Sequence, residues 1–346
     1  MRPRPTLHDV CALAQVSTFT ASRALSGHAG VAAETRKRVG EAAASLGYVP
    51  NQHARSLKSS ASRVVAVLTA NMANHYYAAL VAELESRLET AGYDCLTMDA
   101  VLAGTYSQER ENRFVAALMA QRAAAVVVTY TLSQTNMQAL AAWGVPLVFV
   151  DCTAPAGFPN YPSVSSDSYH GSLELGRHLA GLGHRRWAFV GHARGWNTRQ
   201  PRQAGFEAAA LAAGASVDII EGENDSASAA RAVEVYLATT PNERWPEVIY
   251  ASNTVLLHGT LAALRRHGIA IPETMAVVAF DDFEWADMLD PPVTVVDQDI
   301  AAIGRAAGEL VLDRVSGRLV LAIGEVIVLK TVLRIRGSCG AGRRGL

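Results

Sequence analysis

Along the first fifty residues the apolar positions recur three or four apart, and from residue 62 onward they gather into short runs separated by amphipathic stretches. The first region predicts three short helices. Thr6 followed by Asp9 has the form of a capping box, with Leu7, Val10, Cys11 and Ala14 at helical spacing behind it. Val16 and Ser17 make a tight break, and Ser17 suits the N-cap of a second helix reaching about residue 26. After the loop Gly27–Gly30 a third helix runs from about 32 to 46, with Val39, Ala42, Ala43 and Leu46 on one face, stopped by Gly47 and Pro50.

Beyond residue 62, β-rich runs at 64–69, 125–130, 146–151, 187–191, 217–221, 247–251, 275–280 and 293–296 alternate with helical stretches such as 77–91, 168–182, 200–213, 227–238, 254–267 and 301–315. Strand–helix alternation means parallel sheets covered on both faces. About eight such units exceed one sheet, so the expected fold is α/β: an all-α head with a hinge helix, followed by two doubly wound lobes. The expected boundaries are a head at 1–50, a hinge at 51–61, one lobe from 62–161 plus 294–324, a second from 162–293 plus 325–336, and a flexible tail at 337–346.

The overall charge of −1 changes this picture only through its distribution. Residues 1–61 hold eight Lys or Arg against three acids, a net +5, which leaves −6 on the rest. A basic head on an acidic body points to a polyanion met by the head alone. The four cysteines are scattered with no CxxC pair, no membrane-length apolar stretch follows the basic N-terminus, and a cytoplasmic chain without membrane contact is expected.

On α-helical geometry the second helix turns Ala21 and Leu25 toward a small core with Leu7, Val10, Val16 and Val39, and turns Thr18, Phe19, Ser22 and Arg23 outward. A recognition helix needs such a face: Arg23 can fork onto guanine, and Phe19 can cover thymine methyls. The alternative for this face alone is a polar surface on a protein-binding bundle.

The residues Thr6-Leu7-His8-Asp9-Val10, Val16-Ser17, Thr20–Leu25, Thr35-Arg36, Leu46–Asn51 and Ala54–Leu57, at their present spacing, resemble the headpiece of the LacI family of transcription regulators. That resemblance implies that Thr18, Phe19 and Arg23 read bases. It places Thr6, Ser17, Ser22, Tyr48 and Asn51 at phosphate-holding positions, with Thr20 in the same DNA-binding set. Residues 51–59 match a hinge that folds into a helix on specific DNA. There Leu57 is the minor-groove wedge, Ala54 lets two hinge helices approach, and Arg55 and Lys58 flank the groove. Two departures are Gln15 where a glycine is usual and Ala32 where a serine is usual before the third helix; both bear on the stability of the head.

Enzyme signatures are absent: no Walker loop, GxGxxG after the first strand, HExxH or GxSxG occurs, and the histidines lack metal-ligand spacing. No cofactor or metal is expected, and no catalysis. The resemblance continues to about Arg336, through Val190-Gly191, Arg202–Phe206, Phe280–Asp282 and Pro291–Gln298, and implies periplasmic-binding-protein-like lobes with an effector in the cleft between them. Matching positions are Tyr76, Tyr77, Asp151, Trp196, Thr198, Arg202, Asn253 and Asp281. Carboxylates and amides suit sugar hydroxyls, Arg202 can fork onto vicinal oxygens, and tyrosines offer a stacking face. Asn224 stands where some sugar-sensing relatives carry a tryptophan, which moves the expected stacking face to Trp285. A rim holding His75, His192, Arg194 and Arg199 beside Arg202 keeps a sugar phosphate or sugar acid open beside a neutral sugar.

The expected protein is a sequence-specific regulator, most naturally a repressor. It works as a homodimer on a palindromic double-stranded operator under allosteric control by a small sugar-like effector. The tail lacks leucine heptads, so a tetramerising coiled coil is not expected. The rivals are a transport solute-binding protein, which would need a signal sequence and no basic head, and an α/β enzyme with an accessory DNA-binding head.

Overall fold

The computed structural model describes residues 5–26, 28, 30–48, 62–72, 74–102, 105–158, 160–192, 198–318 and 326–341. The chain divides into two compact units, 1–61 and 62–346.

The first unit contains α1 (Leu7–Ala14), α2 (Thr18–Leu25) and α3 (Ala33–Leu46). Thr6 and Asp9 close the expected capping box on α1, and the Ser17 hydroxyl accepts from the Thr20 amide at 3.2 Å to cap α2. Val10, Ala21 and Val39 are fully buried, with Leu7, Val16, Leu25, Leu46 and Tyr48 packed around them. Both departures have a visible cost. Gln15 ends α1 in the left-handed region (φ 49°, ψ 51°), where a Cβ crowds the backbone and glycine is favoured. Ala32 precedes α3 without a side-chain cap, so its first amides lack the bond a serine would supply.

The second unit is built on two six-stranded sheets. The first contains β1 (Val64–Thr69), β2 (Asp94–Asp99), β5 (Ala125–Val128), β6 (Leu147–Val150), β7 (Ser163–Ser166) and β13 (Val326–Leu329), in the order β13-β7-β6-β5-β1-β2. A short ribbon, β3 (Val101–Leu102) with β4 (Thr105–Tyr106), stands apart from it. The second contains β8 (Arg186–His192), β9 (Ser216–Gly222), β10 (Val248–Ala251), β11 (Ala276–Phe280), β12 (Thr294–Gln298) and β14 (Thr331–Arg334), in the order β14-β12-β11-β10-β8-β9. The two orders are the same topology written twice. Within the two six-stranded sheets pairing is parallel except for β14, which runs antiparallel to β12 at one edge. The apolar runs of β5, β6, β10 and β11 are buried on both faces, as helix-covered parallel strands must be.

The expected lobe boundaries need correction. The chain crosses between sheets at three places: after β7, after β12, and between β13 and β14. Hence β7 belongs to the first lobe and β12 to the second, and β13 returns to the first, each opposite to the division at 161/162, 293/294 and 324/325. Sheet pairing decides membership: β13 pairs with β7 and β7 with β6, while β12 pairs with β11. Nor is the start of the tail loose. Gly337–Cys339 forms a 3-10 turn with Ser338 and Cys339 fully buried, and the Ser338 hydroxyl donates to Val277 O at 2.5 Å.

Close helix contact in the second lobe depends on Gly205. A Cβ there would lie 2.1 Å from the Tyr169 carbonyl oxygen, so helices Ser168–Gly181 and Arg199–Ala213 meet backbone to backbone. Among the described residues, no helix is long and apolar enough to cross a membrane.

Candidate DNA-reading face and effector pocket

In the head, capping bends the chain so that α2 presents its first turn outward. Thr18 and Phe19 are exposed there, Phe19 at 62%. The Arg23 guanidinium lies 5.2 Å from the Phe19 ring centroid, and its Nη2 meets His28 Nδ1 at 2.8 Å. His28 is itself held by Arg36, whose Nη2 donates to the His28 carbonyl at 2.9 Å. Arg23 is thus oriented beside Phe19 and, like Ser22 next to it, half-buried, with its Nη2 held by His28.

Other expected contact residues are engaged within the head itself. The hydroxyls of Ser17 and Thr20 face each other at 2.9 Å, and the Thr6 hydroxyl donates to Asp9 Oδ2 at 2.7 Å. Both arrangements serve the helix caps. Tyr48 packs against the head core. Asn51, Ala54, Arg55, Leu57 and Lys58 lie outside the described residues. His28 was not expected at this face, because its loop offers no periodic pattern in the sequence.

In the body, parallel strands deliver side chains at their carboxyl ends, and the two lobes face each other there. Tyr76 and Tyr77 occupy the first turn of helix His75–Glu89, Thr198 and Arg202 the start of Arg199–Ala213, and Asn253 the N-cap of Thr254–Arg266. Asp151 directly follows β6 and Asp281 directly follows β11, which are corresponding strands of the two lobes. Both take left-handed backbone conformations (φ 56° and 76°), which turn their carboxyls to face one cavity. All seven residues line that cavity, together with Asn74, His192 and Asn224.

The groups around it are nearly all buried. Arg202 stacks on the Phe280 ring at 3.7 Å, donates to Ser252 O at 2.6 Å, and brings Nη2 within 3.8 Å of Asp281. Asp281 also accepts from Gln298 Nε2, whose carbonyl oxygen meets the Ser166 hydroxyl. Asn253 donates to Asn224 Oδ1 at 2.9 Å. Burial pushes the Asp151 carboxyl up to about 6, opposed by Tyr76 and by the Arg202 charge. Burial also raises Asp281, against the pull of Arg202 and Gln298. Tyr76 and Tyr77 are held far above the ordinary phenol range by desolvation first and then by Asp151, so both stay neutral donors.

The lobes are closed on this cavity. Thr254 Oγ1 lies 3.1 Å from Asn74 Oδ1 and Asn71 Nδ2 lies 3.4 Å from the Asn224 carbonyl, which leaves about 20 Å³. That volume suits a water, so a sugar enters only as the lobes part.

Two expectations about the surroundings are corrected. Of the described residues of the basic rim, only His192 and Arg202 line the cavity. His75 is exposed, Arg199 turns away to pair with Glu221, and Arg194 lies outside the described residues. Trp285 cannot serve as the stacking face. It packs on Phe283 at 4.2 Å and lines a separate groove with His258, Leu261 and Met288. Trp196 lies outside the described residues. Asn74, which was not expected at the ligand, signals itself in the sequence only as a polar residue just before a helix, whereas Asn224 stands at the position where some relatives carry a tryptophan.

A capped helix-turn-helix head joined to a two-lobed binding fold defines a class of ligand-controlled DNA-binding proteins. The comparisons with known proteins fix the family. Residues 6–51 match the model for bacterial regulatory proteins of the lacI family, and residues 177–339 match a periplasmic binding protein-like domain. The chain is similar to the HTH-type transcriptional regulator CelR of Thermobifida fusca, with 30% identity over 348 residues covering 97% of this chain and 99% of that one. Among solved structures it resembles the Lac repressor dimer bound to operator and the anti-inducer ONPF (25% identity, TM-score 0.78, 97% and 99% of the two chains). It also resembles a CelR–cellobiose complex (28% identity, TM-score 0.71, 97% and 100%). The chain belongs to the LacI family of DNA-binding transcription regulators, and its relatives are regulators rather than enzymes.

Proposed function

We propose that this protein is an operator-binding repressor, working in the cytoplasm as a homodimer on a palindromic site, whose grip on DNA is set by a neutral sugar bound between the two lobes. The observation that carries the sugar assignment is the pair of buried aspartates, Asp151 and Asp281, presented from equivalent strand ends of the two lobes. They accept hydroxyl protons from opposite sides. Neutral Tyr76 and Tyr77 and the amides of Asn74, Asn224 and Asn253 complete a set of donors and acceptors suited to a polyol.

Charge argues against an anionic effector. Two carboxylates face one guanidinium whose donors are largely spent on Ser252 and Asp281. A phosphate or sugar acid would meet repulsion there. Cellobiose in the similar CelR structure supports the same class.

At the head, Thr18, Phe19 and Arg23 read base edges, while Thr6, Ser17, Thr20, Ser22, Tyr48 and Asn51 hold the backbone. The hinge at 51–61 supplies Leu57 as minor-groove wedge, with Ala54, Arg55 and Lys58 beside it. Two-fold symmetry is the natural partner of a palindrome. The sugar acts only through unequal affinity for two arrangements of the lobes.

Footprinting of the purified protein on the DNA upstream of its own gene, with and without a panel of neutral sugars, sugar phosphates and sugar acids, tests this. The expected result is a protected palindrome whose protection changes with one neutral sugar. A response confined to phosphorylated or acidic sugars overturns the effector class, and no protected palindrome under any condition overturns the whole reading.

A further inference from the structure

The Arg23 guanidinium is held from both directions along the chain. The Phe19 ring, one turn earlier on α2, has its centroid 5.2 Å away, and His28 Nδ1 meets Nη2 at 2.8 Å from the loop after α2. Gly30 lies against the same nitrogen: a Cβ there would come within 3.0 Å of Nη2, so a larger residue would press on it. We propose that His28 is a positioning residue for base choice, fixing the Arg23 fork in the direction that selects a guanine and so setting operator specificity without itself reading a base. The inference rests on the assignment of Arg23 to a base edge and deepens it.

The chemistry of the contact gives it a direction. A guanidinium has donors only, so Nδ1 must be the acceptor and the imidazole carries its proton on Nε2. The ring is delivered by a pinned backbone. The His28 amide donates to the Arg23 carbonyl at 3.1 Å, and the His28 carbonyl accepts from the Val31 amide at 3.3 Å and from Arg36 Nη2 at 2.9 Å. Arg36 stands in the first turn of α3, so the imidazole is located against both α2 and α3. An unheld arginine loses rotamer freedom when it meets a base edge, a cost of roughly 3- to 10-fold in affinity. An arginine already aimed avoids that cost at guanine, whose O6 and N7 accept two parallel bonds, and gains nothing at a pair that lacks them. His28 takes one of the five guanidinium protons, which leaves enough for the fork. The His28 side chain is exposed, so replacing it removes no core contact.

The test is titration of the full chain on the operator located by footprinting and on its single-base-pair variants. The proteins compared are the wild type, Arg23→Ala, His28→Ala, His28→Asn and the double variant Arg23→Ala/His28→Ala. Arg23→Ala identifies the base pair that Arg23 reads as the one where preference is lost. At that same pair His28→Ala should lower the preference for guanine by roughly 3- to 10-fold, with the unfolding temperature unchanged. His28→Asn, whose Oδ1 can stand in for Nδ1 as acceptor, should restore most of it, and His28→Ala should add nothing once Arg23 is gone. An undiminished preference in His28→Ala overturns the inference while leaving base reading by Arg23 standing. So does an equal loss on every operator variant, failure of His28→Asn to restore the preference, or an undiminished effect of His28→Ala in the Arg23→Ala background. If Arg23→Ala alters preference at no base pair, the base-reading assignment and the inference fall together.

Discussion

Asp151 is the residue where environment and function meet most directly. Its carboxyl is pushed up to about 6 by burial, so in the free protein it is substantially protonated at pH 5 and ionised at pH 7. A sugar hydroxyl donates to the ionised form, and the sugar-bound protein therefore holds fewer protons than the free one. Sugar affinity should rise as pH is raised from 5 through 6 and level off above 7, with Asp281, also raised by burial, adding in the same direction. Calorimetry across that range should show a shallower slope in Asp151→Asn, and affinity falling with rising pH would refute the donor–acceptor assignment. In the head, Arg23 and Lys58 should separate cleanly. Arg23→Ala is expected to relax base choice, because its oriented fork is the group able to distinguish guanine, whereas Lys58→Ala should lower the salt dependence of binding uniformly across sequences. Titrations on operator and scrambled DNA at several salt concentrations distinguish the two, and equal losses on all DNA from both variants would contradict it.

At the scale of elements, the head is built with two correctable weaknesses. Ala32→Ser should cap α3 and raise head stability by about 1 kcal/mol, and Gln15→Gly should relieve the left-handed strain at the end of α1 by a similar amount. Denaturation of a fragment carrying residues 1–61 measures both, and no gain from either would mean that the loops already compensate. Gly205→Ala should act oppositely, forcing two helices apart at the cost of about 1–3 kcal/mol in the body. The same elements explain what could be read in advance. Apolar runs such as those of β1, β5, β6 and β11 are legible because strands buried on both faces leave no polar positions to blur them. β7 was not, since its sequence Ser163–Ser166 carries one apolar residue and its burial depends on neighbours distant in the chain. Helix Gln108–Ala120 was missed for a related reason: fully buried Glu111 interrupts its apolar face, satisfied by Asn136 Nδ2 at 2.6 Å and Tyr106 Oη at 2.8 Å. Seven of the eight residues that the resemblance names for the pocket line one cavity, because strand ends and the helix starts that follow them meet in one crevice. The stacking face and basic rim were not, because nothing in the order of residues says whether Trp285 or Arg199 turns toward that crevice or away.

At the scale of the whole sensor, three crossings link the lobes covalently, and they are tied to one another. The Asp167 amide donates to the Leu329 carbonyl at 2.8 Å, joining the first crossing to the third, and the Ser166 hydroxyl meets the Gln298 side-chain carbonyl, joining the first to the second. Gln298 continues to Asp281 in the pocket. A change in how Asp281 is bonded by a sugar therefore reaches the crossings through one side chain. Ser166→Ala cuts this path beyond Gln298 while leaving the Gln298–Asp281 bond in place. It should leave operator affinity in the absence of sugar nearly unchanged and reduce the factor by which a saturating sugar alters it. Linkage requires the same reduction in the factor by which operator DNA alters sugar affinity. Paired titrations of operator with and without sugar, and of sugar with and without operator, measure both factors. Equal, undiminished factors in Ser166→Ala would mean that the lobes move as rigid bodies without this bond, and the coupling would then have to run through the contacts of Asn71 and Asn74 with Asn224 and Thr254 across the cleft.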